Sequence, residues 1–146
     1  MNEETVAKVL KIVVSNLKNK KITWRLGGSA NLLVQRLELP VRDVDISTDD
    51  KGLEEFRYAL KKYVIKDFYS EKIKGLSLIC NINNYEVEIN SYEDKDKNYF
   101  DKIKLISWHG INLPIIPLQY AKEFYKKIGR EEKVKLIEDY LNNQQK

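Results

Sequence analysis

The sequence predicts an α+β fold in which a mixed β-sheet is flanked by helices. Some segments repeat apolar residues at three- and four-residue steps, as amphipathic helices do, and others alternate apolar and polar residues, as half-buried strands do. The two kinds of segment do not alternate regularly along the chain, which argues against a βαβ array. A chain of 146 residues is long enough for one domain with its own core. We expect that domain to span 1–146, with a core at about 20–92 and C-terminal helices at about 117–143.

The first third of the chain predicts two helices and two strands. A helix is expected over roughly 3–18, where apolar residues recur at helical spacing. Ile22 to Leu26 predicts a strand that ends in a tight turn at Gly27-Gly28. Ser29 is the expected cap of a second helix, which stops at Pro40 and carries Leu32, Leu33, Leu37 and Leu39. Val41 to Ser47 alternates and predicts a second strand.

The remaining sequence predicts another helix, several strands and two final helices. Asp49 or Asp50 should cap the third helix. Strands are expected over 65–73, 76–82 and 85–90, and Asn83-Asn84 suits a two-residue hairpin because asparagine tolerates positive φ. A further strand pair is expected to turn at His109-Gly110. Helices are expected after Pro117 and after Gly129, with Val134, Ile137 and Leu141 on one face of the last.

The composition is that of a globular domain, with 42% hydrophobic and 33% charged residues. No run of about 18 uncharged apolar residues occurs, so no membrane span is expected. The first residues include Glu3 and Glu4 and lack the features of a secretory signal, so we expect a cytoplasmic protein. The net charge of +4 is compatible with an anionic partner such as a nucleotide or RNA, but lysines on solvated helix faces explain it as well.

Cysteine and histidine are too rare to build a metal site. Cys80 is the single cysteine, so a disulfide within the chain and a cysteine-based zinc site are excluded. It lies among apolar residues, and we expect a buried, inert thiol. The single histidine, His109, precedes Gly110 and is expected in a turn.

The first chemically informative segment is Leu26-Gly27-Gly28-Ser29. A glycine pair between a strand and a helix lets the backbone approach a ligand closely with its N–H groups exposed. The N-terminus of the next helix favours an anion. The Ser29 hydroxyl can donate a hydrogen bond to a phosphate. Gly27-Gly28 alone is an ordinary turn, and it becomes informative only in combination with the acids further along the chain.

A pair of acids comes 15 residues after Gly28, in Asp43-Val44-Asp45-Ile46. Asp43 and Asp45 are two residues apart on a predicted strand, so both side chains point to one face. Neighbouring carboxylates repel each other unless a cation lies between them. Mg²⁺ suits this arrangement because it takes a few carboxylate oxygens together with substrate phosphates. Two such ions can stabilise both the attacking and the leaving oxygens of a phosphoryl displacement.

A third acid is expected from Tyr85-Glu86-Val87-Glu88-Ile89. Glu86 and Glu88 share one face of that strand, and an exposed strand face is the ordinary alternative for both. Glu88, between Val87 and Ile89, is the better candidate. It can complete a metal-binding triad or act as general base on an acceptor hydroxyl.

The two motifs together resemble the signature of the nucleotidyltransferase superfamily that includes DNA polymerase β. That signature is a hydrophobic residue with Gly-Gly/Ser, a short helix, then Asp-hydrophobic-Asp/Glu-hydrophobic. Within the superfamily the chain resembles the small prokaryotic members, which include the AbiEii-like toxins and the lincosamide-type antibiotic transferases. Their tails also resemble this one, which has Leu113-Pro114 and Pro117, then Lys122, then Arg130-Glu131-Glu132-Lys133.

The resemblance implies a nucleotidyltransferase fold and a metal-dependent enzyme. It would move a nucleoside monophosphate from a nucleoside triphosphate to an acceptor hydroxyl, which RNA or tRNA, a protein or a small molecule could supply. The implied site residues are Asp43, Asp45 and Glu88 as catalytic and Mg²⁺-binding acids, and Gly27, Gly28, Ser29, Arg42 and Lys122 as nucleotide contacts.

Two other interpretations stay open on the sequence alone. One is a catalytically reduced protein that keeps the fold and binds nucleotide or a partner, as in a toxin–antitoxin pair. The other is an unrelated α+β domain in which the motif is coincidental. A homodimer is also left open, since the nine tyrosines and the tryptophans Trp24 and Trp108 leave aromatic surface for an interface.

Overall fold

The computed structural model describes residues 1–144. In chain order the elements are α1 (Glu3–Asn16), β1 (Trp24–Gly27), α2 (Gly28–Val34), β2 (Val44–Thr48), α3 (Asp50–Ala59), β3 (Val64–Ser70), β4 (Gly75–Ile82), β5 (Tyr85–Tyr92), β6 (Lys104–Trp108), β7 (Ile111–Ile115), α4 (Leu118–Lys127) and α5 (Glu131–Gln144). Within these residues, every helix is too short or too polar to cross a membrane.

The main sheet has five strands in the order β1-β2-β5-β4-β3. β2 pairs with β5 in parallel, and the other three pairings are antiparallel. β6 and β7 form a separate antiparallel hairpin. The expected mixed sheet flanked by helices is therefore confirmed.

Both predicted hairpin turns are present. Asn83 and Asn84 have φ of 54° and 70°, and the turn between β6 and β7 has φ of 50° at His109 and 79° at Gly110. Two consecutive residues with positive φ match the twist of antiparallel strands. Asparagine adopts this conformation at a smaller cost than most residues, which explains how the asparagine pair specifies the β4–β5 register.

Alternating side chains divide the sheet into an apolar and a polar face. Val44, Ile46, Val87 and Ile89 point to one face and pack in a core with residues of α1 and α3. A second apolar cluster joins α2 to α4 and α5 through Leu32, Leu37, Ala121, Tyr125 and Ile137. Trp24 and Trp108 are half-buried against the first core, and Cys80 is buried in it as expected.

The second helix differs from the sequence-based expectation at both ends. It begins at Gly28 with Gly27 as its cap, so Ser29 lies inside the first turn and is not the cap. It ends at Val34, well before Pro40. Arg36 has a left-handed φ of 79°, and the Leu37 N–H donates to the Leu32 carbonyl at 3.1 Å, which closes the helix end. The following strand correspondingly begins at Val44 instead of Val41.

Asn31 joins α2 to the residue that follows β7. Its side-chain amide donates to the Ile116 carbonyl and its side-chain oxygen accepts from the Ile116 N–H, both at 3.2 Å. The residue is 1% exposed, so these groups have no access to water. The pair of bonds fixes the helix that begins at the Gly27-Gly28 turn.

We predict that Asn31→Ala lowers the free energy of unfolding by about 1–3 kcal/mol, because it leaves the buried Ile116 N–H without an acceptor. Urea denaturation measures the change. The control is Asn112→Ala, an exposed asparagine on β7. Equal unfolding free energies for the two variants would contradict the assigned role of Asn31.

Candidate active site

Three carboxylates converge on the polar face of the sheet. Asp43, Asp45 and Glu88 each offer an oxygen, and these oxygens all lie within 4.8 Å of one another. All three side chains are partly exposed to solvent. We call this group the acidic cluster. Its arrangement is one that could hold a metal ion.

Strand register explains the convergence. β2 and β5 run in parallel with Asp45 opposite Glu88, so the two side chains leave the same face on neighbouring strands. Asp43 precedes β2 by one residue and, two positions before Asp45, shares that face. Glu86 also lies on this face but is exposed and outside the acidic cluster. The choice of Glu88 over Glu86 is consistent with this geometry.

Gly28 lies directly against the acidic cluster. It has a left-handed φ of 58°, and a side chain there would overlap the Asp45 carboxylate. Gly27 pairs with Asp45 across β1 and β2. Position 28 therefore requires glycine for two reasons, the left-handed backbone conformation and the close approach of the Asp45 carboxylate.

Burial and mutual repulsion both oppose ionisation in the acidic cluster. Burial raises the pKa of Asp45 to about 7, and the neighbouring Asp43 and Glu88 carboxylates add to the increase. Burial, with Asp43 and Glu88, also raises the pKa of Glu86. A bound cation would relieve this repulsion.

The acids lie in a cleft of about 610 Å³ that the C-terminal helices cover. The N-terminal end of α5 brings two basic side chains, Arg130 and Lys133, to its wall. Lys133 Nζ donates a hydrogen bond to Ser29 Oγ at 2.9 Å. Burial and the nearby Arg130 lower the pKa of Lys133. Lys133, 104 residues after Ser29 in the chain, thus places a basic side chain beside the Gly27-Gly28 turn.

A buried arginine and several aromatic rings form another wall of the cleft. Arg25 is 1% exposed and donates to the carbonyls of Leu26, Lys97 and Asn98. Its guanidinium lies 5.5 Å from the centre of the Phe124 ring. Burial lowers the pKa of Arg25 to about 10, so it stays charged at neutral pH. The adjoining wall contains Tyr92, Phe124 and Tyr125.

The structure brings most of the predicted site residues together. Gly27, Gly28, Ser29, Arg42 and the acidic cluster all line the cleft. Lys122 does not belong to the described lining of the cleft. It follows the buried Ala121 on α4, whereas Phe124, Tyr125 and Ile128 face the cleft, so it lies on another side of that helix.

Sequence reasoning passed over Arg25, Asn90 and Lys133 as members of this cleft. The alternation of strand residues could have identified the first two, since Arg25 precedes Gly27 by two positions and Asn90 follows Glu88 by two. In the sequence, Lys133 is only the last residue of the tail motif that begins at Arg130, and the motif does not indicate that it reaches the cleft. Its contact with Ser29 depends on tertiary packing that no local pattern shows.

Solved structures with this architecture are nucleotidyltransferases. A candidate nucleotidyltransferase from Thermotoga maritima has a TM-score of 0.76 and 27% identity, with 98% of this chain and 96% of that chain covered. Antibiotic-resistance factor ANT(2'')-Ia has a TM-score of 0.66 and 10% identity, covering 97% and 86% of the two chains. Lincosamide antibiotic adenylyltransferase LnuA has a TM-score of 0.62 and 16% identity, covering 90% and 95%. The fold is therefore that of nucleotidyltransferases.

A match between the sequence and a family model identifies the family to which the chain belongs. Residues 9–142 match the model of the aminoglycoside-2''-adenylyltransferase family, and the chain belongs to that family. No curated protein matches the sequence significantly. The resemblance to antibiotic nucleotidyltransferases is thereby confirmed.

We predict that Asp45→Asn stabilises the metal-free protein at pH 8. Because the folded protein holds the Asp45 proton more tightly than the unfolded chain does, the raised pKa stabilises the fold. This stabilisation is fully present below pH 3.8 and is lost as the pH rises through about 7. Each unit of pKa shift corresponds to about 1.4 kcal/mol, so the ionised carboxylate costs the metal-free fold a few kcal/mol.

Thermal denaturation in chelator between pH 5 and pH 8 measures this effect. The wild type should lose stability across the range, and Asp45→Asn should lose less. The control is Asp101→Asn, whose acid is exposed. An equal loss of stability in Asp45→Asn and in the wild type would show that Asp45 is not strained.

Proposed function

We propose that the protein transfers a nucleoside monophosphate from a nucleoside triphosphate to an acceptor hydroxyl and releases pyrophosphate. The observation that carries this proposal is the convergence of Asp43, Asp45 and Glu88 beside the Gly27-Gly28 turn. Since the family is one of adenylyltransferases, we take ATP as the donor. The proposed setting is the cytoplasm, where ATP and magnesium are available.

The chemistry of the acidic cluster fits Mg²⁺. Its donors are all carboxylate oxygens, which hard divalent cations prefer. The raised pKa of Asp45 marks a group that gains from a nearby positive charge. We propose two ions, held by Asp43, Asp45 and Glu88 together with the nucleotide phosphates. When bound, such ions neutralise charge on the phosphates and lower the pKa of a coordinated hydroxyl.

The triphosphate is proposed to bind beside the Gly27-Gly28 turn. Ser29 Oγ and Lys133 Nζ lie within hydrogen-bond distance of each other at 2.9 Å, and both can donate to phosphate oxygens. Arg42 and Arg130 line the same cleft and can neutralise further charge. Gly28 keeps the backbone clear of a side chain at this point.

The proposed transfer is a displacement at the α-phosphorus. The acceptor oxygen forms a bond to that phosphorus while the bond to the oxygen that bridges the α- and β-phosphates breaks, and pyrophosphate leaves with the electron pair. The hydroxyl proton passes to a carboxylate, for which Glu88 on the β4 side of the acidic cluster is the proposed base. Catalysis then depends mainly on positioning and on neutralising charge.

Structural relatives suggest that the acceptor is a small molecule. ANT(2'')-Ia has been crystallised with adenylyl-2''-tobramycin, and LnuA with lincomycin. Of the acceptors that the sequence left open, a small hydroxylated compound therefore has the most support. A reduced protein that only binds nucleotide is less favoured, because the chain retains all three acids, with their oxygens within 4.8 Å of one another.

We predict that Asp43→Asn, Asp45→Asn and Glu88→Gln each lower the rate of nucleotide transfer at least about 100-fold, as expected for loss of a group that neutralises or moves charge in the transition state. The assay follows release of pyrophosphate with ATP and Mg²⁺. Glu86→Gln is the matched control, because it alters an exposed acid on the same face of β5. Equal losses in Glu86→Gln and Glu88→Gln would refute the assignment of Glu88.

We predict that Lys133→Met weakens ATP binding about 10- to 100-fold, since a charge-assisted hydrogen bond contributes about 1.5–3 kcal/mol. Isothermal titration calorimetry with ATP and Mg²⁺ gives the affinity. Lys135→Met, an exposed lysine on the same helix, is the control and should bind as the wild type does. An unchanged affinity in Lys133→Met would place the triphosphate elsewhere.

A further inference from the structure

β6 is the outer strand of the β6–β7 hairpin, and its side chains are largely exposed. β7 pairs with β6 on one side and lies beside β1 on the other, so β6 faces away from the main sheet. Lys104, Leu105 and Ser107 are exposed, and the exposed fraction of Leu105 reaches 69%. An exposed strand edge is a template for pairing with another strand unless the sequence protects it.

The position of Pro114 shows which backbone groups of β6 point outward. Pro114 has no N–H, and it lies opposite Leu105 in the hairpin. This pair therefore exchanges no hydrogen bonds, and the N–H and C=O of Leu105 point away from β7. The alternation of antiparallel strands gives Ser107 the same orientation. Among residues 1–144, no backbone group outside the hairpin bonds to the main chain of either residue.

β3, at one edge of the main sheet, is protected against such pairing, whereas β6 is not. β3 has a register shift between Val64 and Lys66, and the charged side chains of Lys66 and Asp67 lie at this irregularity. Bulges and charges are two ways in which proteins block edge strands. β6 pairs with β7 at five consecutive positions without a shift, and its one charged residue, Lys104, lies at its end. The edge of β6 is therefore suited to accept a strand.

We propose that two copies of the chain associate through β6, with the two strands antiparallel and Ile106 on the two-fold axis. In this register Leu105 lies opposite the partner's Ser107, so the outward N–H and C=O groups of each strand meet those of the other. Lys104 lies opposite the partner's Trp108, and a lysine packs favourably on an indole ring. The two Lys104 side chains are four residues apart along the strands, about 13 Å, so like charges do not meet.

A second copy fits this edge because the strand is complementary to itself. A two-fold contact requires that one surface match its own rotated image, and the register centred on Ile106 meets that requirement. Strand pairing over five residues buries less than the roughly 1,200–2,000 Å² of a stable interface, so neighbouring apolar surface has to contribute. Leu105 lines an apolar groove of about 930 Å³ together with Trp24 and Pro114, and the described lining of that groove has one charged residue, Lys18.

Sedimentation velocity of the full chain over a range of concentrations tests the association. The wild type should reach a mass twice the 17.2 kDa of the chain. Leu105→Lys should raise the dissociation constant of the dimer at least about tenfold, because it brings two positive charges within about 7–8 Å across the strands. The matched control is Ile65→Lys, which adds the same charge at an apolar residue that is 65% exposed on β3, and it should associate as the wild type does.

Two results of this experiment would overturn the proposal. One is a wild-type chain that stays monomeric at concentrations up to about 1 mM. The other is the same dissociation constant for Leu105→Lys and Ile65→Lys, which would place the contact elsewhere.

A single cysteine on the two-fold axis tests the register. In Ile106→Cys the two thiols lie opposite each other with about 4.5 Å between their Cα atoms, which is within the range of a disulfide. Oxidised glutathione accepts the two electrons and two protons that the thiols lose as the S–S bond forms. Ile106→Cys should link at least about tenfold faster than Ser107→Cys, whose thiols are diagonal neighbours. The native Cys80 is buried and does not compete. Linkage of Ser107→Cys at an equal or higher rate contradicts this register.

The interface lies apart from the candidate active site. Within the part of the chain that the structure describes, the lining of the cleft includes no residue of β6 or β7. Leu105→Lys is therefore expected to keep the melting temperature of the wild-type monomer. Should that variant fail to fold, the rate of linkage of Ile106→Cys decides between association through β6 and its absence.

Discussion

Three carboxylates whose oxygens lie within 4.8 Å of one another are the constraint on which this structure depends. Burial, together with repulsion from Asp43 and Glu88, raises the pKa of Asp45 to about 7, so the folded chain holds the three acids together at an energetic cost. The apolar side chains of the same strands supply the opposing force. Val44 and Ile46 alternate with the aspartates, and Val87 and Ile89 flank Glu88, so packing of one sheet face fixes the acids on the other.

The other walls of the cleft include residues of α4 and α5, the two helices that follow the strands in the chain. α4 and α5 bury their apolar faces against α2, and that packing brings the start of α5 over the Gly27-Gly28 turn. Lys133 thereby reaches Ser29, and Phe124 contacts the guanidinium of Arg25. The same helix packing that stabilises the fold therefore also places positive charge beside the acids, which an anionic, metal-bound ligand requires.

Local patterns were sufficient for the sheet, the hairpin turns and the acids. The alternation at Asp43 and Asp45 and the asparagine pair at 83–84 specify faces and register without reference to the rest of the chain. The end of α2 was missed, because a left-handed Arg36 closes the helix where no glycine or proline marks it. The sequence pattern predicted Lys122 as a nucleotide contact but did not predict that Lys133 lines the cleft, because helical periodicity gives no indication of which face a distant helix presents. The buried Arg25 was missed because arginine is ordinarily exposed.

Diffraction from crystals grown with Mn²⁺ and a non-hydrolysable ATP analogue would show directly whether the acidic cluster binds metal, because anomalous scattering locates the metal without reference to the protein atoms. We expect Mn²⁺ coordinated by Asp43, Asp45 and Glu88, with the triphosphate beside Gly28, Ser29 and Lys133. Manganese bound away from the acidic cluster, or a nucleotide bound away from the Gly27-Gly28 turn, would contradict it.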